Sequence, residues 1–156
     1  MKHPDLHVEL YREQGRLMGR NASGVGIVMG PPSQDPQATS PMEMILQALA
    51  GCSSVDVLGI LDKQRAQVND YRVRVKGRRD DSSGTAAPFS DIVLEFRVDT
   101  DAAPEKVVRA VELSLQKYCS VAKMLESTVC IHPVVLVNDR RVFPTETAGN
   151  TQDPNL

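Results

Sequence analysis

Two cysteines, and the helical segments that carry them, are the residues of this chain best suited to chemistry. Cys52 closes the run SPMEMILQALAGC at residues 40–52, and Cys119 lies within LSLQKYCSVAKML at residues 113–125. A thiolate, not a thiol, is the nucleophile of cysteine chemistry. An ordinary cysteine, with a pKa near about 8.5, is only slightly ionised at neutral pH. A cationic neighbour or a helix N-terminus raises the ionised fraction. The run LSLQKY reads as the end of one helix and SVAKMLE as a short second one, so Cys119 stands where backbone N–H groups favour a thiolate. Two cysteines at the inner ends of two helices invite a redox reading. The alternative for Cys52 is a buried structural thiol beside Ala50 and Gly51.

The elements that must position these thiols follow from the pattern around them. Ser40 can cap a helix, Pro41 suits its first position, and Glu43 stands where a capping box needs a carboxylate. Ile45, Leu46, Leu49, Cys52, Val55 and Ile60 then recur at helical spacing, so a long helix is expected from Pro41 to Lys63 or Gln64. It is apolar on more than one face, which argues for burial, and in a short chain such a helix is most easily buried by a second subunit. Asp56 falls one turn beyond Cys52 on the same face. A carboxylate there opposes thiolate formation, so it is expected at a subunit edge or hydrogen-bonded.

Residues 6–14 and 24–29 read as strands joined through a turn at 21–24, and the Pro-rich loop 30–40 leads into the long helix. Tyr71, Val73 and Val75 alternate with basic residues, and Ile92, Leu94, Phe96 and Val98 form the matching face of a partner strand. A turn or flexible loop is expected at 80–87. A helix should start near Pro104, with Val107, Ala110, Val111, Ser114 and Tyr118 on one stripe. Residues 120–126 read as a short helix and 129–137 as the last strand. Cys130, in that strand, is expected to be a small buried hydrophobe. Strands, long helix, strands, helix, strand is an α+β order with antiparallel sheets.

With 156 residues, 41% hydrophobic and 4% aromatic, the chain is expected to be one domain over 1–143, with a polar mobile tail at 144–156. A net charge of −2 gives no nucleic-acid surface, and Arg78 and Arg79 are followed at once by Asp80 and Asp81. No apolar stretch is expected to cross a bilayer, and the N-terminus lacks the apolar core of a secretory signal. The expected location is therefore the cytoplasm, with the three cysteines reduced. His3 and His7 are four apart, but Pro4 and a strand context spoil a helical metal pair, so no metal site is expected. No phosphate loop, dinucleotide fingerprint or Ser-His-Asp order occurs.

Three segments resemble the OsmC/Ohr family of osmotically induced and organic-hydroperoxide-resistance proteins, in its OsmC-like branch. They are SPMEMILQALAGCSSVDVLGILDKQ, the strand pair YRVRVKGRRDD with PFSDIVLEFRV, and AVELSLQKYCSVAKML. The resemblance implies an intertwined homodimer with long central helices packed between antiparallel sheets, and active sites at the subunit interface. It implies thiol-dependent reduction of organic hydroperoxides, with Cys52 as the peroxidatic and Cys119 as the resolving cysteine. It implies no bound cofactor, only an external thiol or dithiol reductant. An Arg and a Glu polarise thiol and peroxide in the peroxidatic branches. There the Glu directly follows the helix-starting Pro. Here Met42 takes that place and Glu43 comes one step, about 100°, further round the helix. Arg16 stands near one family position of the Arg, and Arg20 is the next candidate. The alternative function is a non-enzymatic protein that binds an apolar small molecule or senses oxidation through the same cysteines. A dimer without site chemistry is the third.

Overall fold

The computed structural model describes residues 6–31, 33–79, 84 and 86–144. Much of the loop expected at 80–87, the tail from 145 onward, and His3 lie outside them. By its internal contacts the chain forms two compact units, Met1–Ile45 and Leu46–Leu156.

The first unit is a three-stranded antiparallel meander of β1 (Val8–Glu13), β2 (Arg16–Asn21) and β3 (Gly26–Met29), in that spatial order. The sequence reading had no strand at β2. Gln14 and Gly15 both adopt positive φ, 49° and 84°, which makes a two-residue hairpin turn directly after β1. A turn that short leaves little mark in the sequence, and β2 itself is too exposed to show a clean alternation. The next turn is the expected one, where the Asn21 carboxamide oxygen accepts from the Ser23 and Val25 N–H groups, each at 3.0 Å.

The helix α1 runs Pro41–Lys63. Its start is a reciprocal capping box. The Glu43 carboxylate accepts from the Ser40 N–H at 2.9 Å and its hydroxyl at 2.8 Å, and the Ser40 hydroxyl oxygen accepts from the Glu43 N–H at 3.2 Å. In the second unit Leu49, Ser53, Val57 and Leu61, each four apart, are buried along one stripe. The face holding Ala48, Gly51, Val55, Leu58 and Gly59 is exposed, Val55 by 74%. By length and composition α1 is apolar enough to cross a bilayer, against the expectation that no stretch is. The core helix of a folded domain meets the same criterion, and α1 carries a hydrogen-bonded Asp56 at mid-length.

The second unit also contains a four-stranded sheet in the order β4-β5-β6-β7. Strands β4 (Val68–Arg79) and β5 (Phe89–Thr100) pair antiparallel, and the predicted faces hold: Ile92, Leu94, Phe96 and Val98 are all buried. Gly77 makes room for Phe89, whose ring a β-carbon there would strike. Two helices, α2 (Pro104–Leu113) and α3 (Ser120–Leu125), join β5 to β6 (Cys130–Val137). With so long a crossover β6 returns parallel to β5, so this sheet is mixed, not wholly antiparallel. Strand β7 (Arg140–Phe143), also unforeseen, follows a tight turn through Asn138 and Asp139, both at positive φ.

Between α2 and α3 the chain makes one wider turn, a π-helical segment at Ser114–Tyr118, closed by the Cys119 N–H donating to the Ser114 carbonyl at 2.8 Å. Val107, Ala110, Val111 and Ser114 are buried as the stripe predicted, but Tyr118 is 48% exposed. The extra residue in the turn rotates the next inward position from 118 to 119. Cys119 is thereby fully buried.

Candidate functional site

Two hydrogen bonds fix the register of α1 in the second unit. Tyr71 on β4 donates its hydroxyl to Ser54 at 3.1 Å, and burial pushes that phenol up to about 12. From the π turn, the Ser114 hydroxyl lies 3.3 Å from the Ser53 carbonyl and 3.1 Å from an Asp56 carboxylate oxygen, and can donate to either. Asp56 is thus hydrogen-bonded, one of the two settings expected for it.

Cys52 and Asp56, one turn apart on α1, face Cys119 at the N-cap of α3. The two sulfurs and an Asp56 oxygen all lie within 4.8 Å of one another. Cys52 is half-buried, Cys119 fully buried, and neither is in a disulfide. The Cys119 sulfur accepts from the Ala122 N–H at 3.4 Å, the capping contact expected at a helix start. That contact favours a thiolate, but it does not prevail. Burial and the hydrogen bond and charge of Cys52 hold the Cys119 thiol above its ordinary range, so Cys119 keeps its proton at neutral pH. Desolvation of the buried thiol outweighs the pull of the α3 N-terminus.

Beside this cluster an open cleft of about 440 Å³ is lined by Val55, Asp56, Ile60, Lys63, Leu113 and Tyr118, among others. Asp56, expected only at a subunit edge or hydrogen-bonded, is part of the cluster. Its signal was the four-residue spacing from Cys52. Ser114 had no signal beyond its place on the α2 stripe.

A profile of the OsmC-like protein family matches residues 33–132, well over half the chain and spanning both cysteines. The chain belongs to the OsmC-like family. It is 45% identical over 116 residues to protein YhfA of Escherichia coli K12, covering 74% of this chain and 84% of that one. An OsmC-like protein from Mycoplasma pneumoniae shares the fold with a TM-score of 0.72 at 16% identity, covering 87% of this chain and 97% of that chain. An organic hydroperoxide resistance protein from Elizabethkingia anophelis does so with a TM-score of 0.68 at 10% identity, covering 88% and 99%. At such identities the likeness establishes the fold alone.

Arg16 and Glu43 lie in the first unit, each with partners inside it. Arg16 Nε meets Asp35 Oδ2 at 2.7 Å, and its Nη2 donates to Asp35 Oδ1 at 3.0 Å and to the Gln37 side-chain oxygen at 2.9 Å. The Arg16 hydrogen bond, then the Gln37 N–H, hold the Asp35 carboxyl below its usual range. Glu43 is held low by the Ser40 N–H and hydroxyl of its capping box. The Arg20 guanidinium lies over the Tyr11 ring, 5.5 Å from its centre. Cys130 departs from expectation. It is exposed, as the first residue of β6, paired with Asp91 of β5 on one side and outside the stretch that β7 covers on the other.

Proposed function

We propose that this protein is a thiol-dependent peroxidase that reduces organic hydroperoxides through Cys52 and Cys119. The observation that carries the reading is the pair of sulfurs within 4.8 Å, one half-exposed and one buried, in a chain of the OsmC-like family. In the proposed cycle the Cys52 thiolate attacks the terminal peroxide oxygen, the O–O bond breaks, and an alcohol leaves after taking a proton. Cys52 is then a sulfenic acid. The Cys119 thiol loses its proton and attacks the Cys52 sulfur, giving a disulfide and water. An external dithiol restores both thiols by exchange. Accessibility supports the order of roles, since a fully buried Cys119 is poorly placed to meet a peroxide first. The cleft lined by Val55, Ile60, Leu113 and Tyr118 suits an alkyl substrate over hydrogen peroxide.

The proposed working form is a cytoplasmic homodimer without a nucleic-acid or membrane partner. What supports the dimer is the exposed apolar stripe of α1, which leaves Val55 and Leu58 in water in the single chain. Light scattering at micromolar concentration should give twice the 17.1 kDa chain mass. Arg16 and Glu43 enter the proposal as the groups that polarise thiol and peroxide. In that role each would exchange a present partner, Asp35 or Ser40, for the reacting groups. Those same contacts favour a second reading, in which the dithiol senses oxidation or the cleft holds an apolar ligand without turnover. Hydroperoxide consumption with a dithiol reductant, wild type against Cys52→Ser, separates the two. Equal rates would remove the enzyme reading.

A further inference from the structure

Two sulfurs and a carboxylate oxygen mutually within 4.8 Å are more than a redox pair requires, because a disulfide needs no carboxylate. Soft thiolate donors select zinc and similar ions over calcium or magnesium. A tetrahedral zinc ion with sulfur at about 2.3 Å and oxygen at about 2.0 Å holds its donors roughly 3.5 to 3.8 Å apart. The three atoms therefore need to close by only about an ångström, within reach of small side-chain rotations. Binding would displace the thiol protons, and the divalent cation would then offset the charge of two thiolates and a carboxylate in a partly buried place.

The surroundings fit a ligand set as well. The Ser114 hydroxyl within 3.1 Å of one Asp56 oxygen is the kind of outer contact that orients a metal-ligating carboxylate. The open cleft lined by Asp56 gives an ion a way in, and room for water as a fourth ligand. Cys52 and Asp56 are one turn apart on α1, and Cys119 is the single extended residue held between the π turn and α3, its N–H bonded to the Ser114 carbonyl.

We propose that Cys52, Asp56 and Cys119 form a three-donor site for a thiophilic divalent cation, with zinc as the best fit, whenever both thiols are reduced. The site would not need the peroxidase reading to hold. If both hold, they use the same sulfurs and exclude one another. An organic hydroperoxide takes two electrons from the two thiolates and two protons from solvent. It leaves an alcohol and water, and the sulfurs join as a disulfide. That step removes two of the three donors and releases the ion, so zinc would shield the reduced pair and oxidation would discharge it.

The test uses the full reduced chain, stripped with a chelator and titrated with zinc against a chromogenic competitor. One zinc per chain is expected. Cys52→Ser and Cys119→Ser should each lose that binding. Asp56→Asn should weaken it tenfold or more, with a circular dichroism spectrum and urea midpoint close to wild type showing that the variant is folded. Cys130→Ser should bind as wild type, and prior oxidation with one equivalent of an alkyl hydroperoxide should abolish binding. Cobalt in place of zinc should give a thiolate charge-transfer absorption that vanishes in the Cys52 and Cys119 variants. Three results would overturn the proposal: no stoichiometric zinc in wild type, binding lost in Cys130→Ser, or unchanged affinity in Asp56→Asn.

Discussion

Cys52 and Cys119 sit where α1 meets the π turn, whereas Cys130 opens β6 at the surface, and the two places treat a thiol in opposite ways. Around the first pair there is packing, one carboxylate and a helix N-terminus. Around Cys130 there is water and a charged patch. Its register partner Asp91 accepts from Arg78 at 2.6 Å and from the Ser90 hydroxyl at 2.8 Å, with His132 Nε2 at 3.3 Å. Arg78, then Ser90 and His132, draw the Asp91 carboxyl down to about 2. Exposure alone would nominate Cys130 as the reactive thiol. Among the described residues, Cys130 stands outside the group that brings the other two sulfurs together. Under the proposed cycle, geometry outranks accessibility.

The sharpest way to break this comparison is to remove the thiols one at a time. Cys52→Ser should lower hydroperoxide consumption by on the order of a thousandfold or more, as expected when a nucleophile is lost. Cys130→Ser should leave it unchanged. The reverse outcome would move the chemistry to the β6 edge.

Next in size is the fate of the oxidised sulfur. One equivalent of an alkyl hydroperoxide should give a Cys52–Cys119 cross-linked peptide by mass spectrometry, with Cys130 free. In Cys119→Ser the reaction should stop at a Cys52 sulfenic acid that a diketone reagent traps. A mixture of bridges including Cys130 would mean that the pair is less well placed than two sulfurs within 4.8 Å imply.

How far this site could be read from sequence depended on the kind of signal. The long helix was legible to its ends, because Ser40, Pro41 and Glu43 are a local start signal and its period is unmistakable. The β5 face was legible because alternation is a two-residue pattern. Strands β2 and β7 were not, since each is short, exposed and set off by a two-residue turn. The parallel return of β6 is a consequence of the whole crossover and has no local signature. The π turn is the most instructive miss. A single added residue exchanges Tyr118 for Cys119 at the buried position, and nothing in LSLQKYC announces it.

A smaller effect is expected at Arg16. If it leaves Asp35 and Gln37 to polarise the reacting groups, Arg16→Ala should slow consumption by about a decade or more while the Cys52–Cys119 bridge still forms. An unchanged rate would confine Arg16 to its ion pair in the first unit.

The smallest effect concerns pH and stability. In the folded chain the Cys119 thiol is pushed above its ordinary range, up to about 11, with burial as the main cause. The unfolded chain therefore releases this proton first as pH rises, and between about 9 and about 11 ionisation of Cys119 favours unfolding. Its stabilising contribution is complete below that window and is lost as pH rises through it. Urea midpoints of reduced wild type should thus fall more steeply across the window than those of Cys119→Ala. The measured quantity is the difference between the curves, in which every group the proteins share cancels. Parallel curves for wild type and Cys119→Ala would mean that burial does not hold the proton on the thiol at the α3 cap.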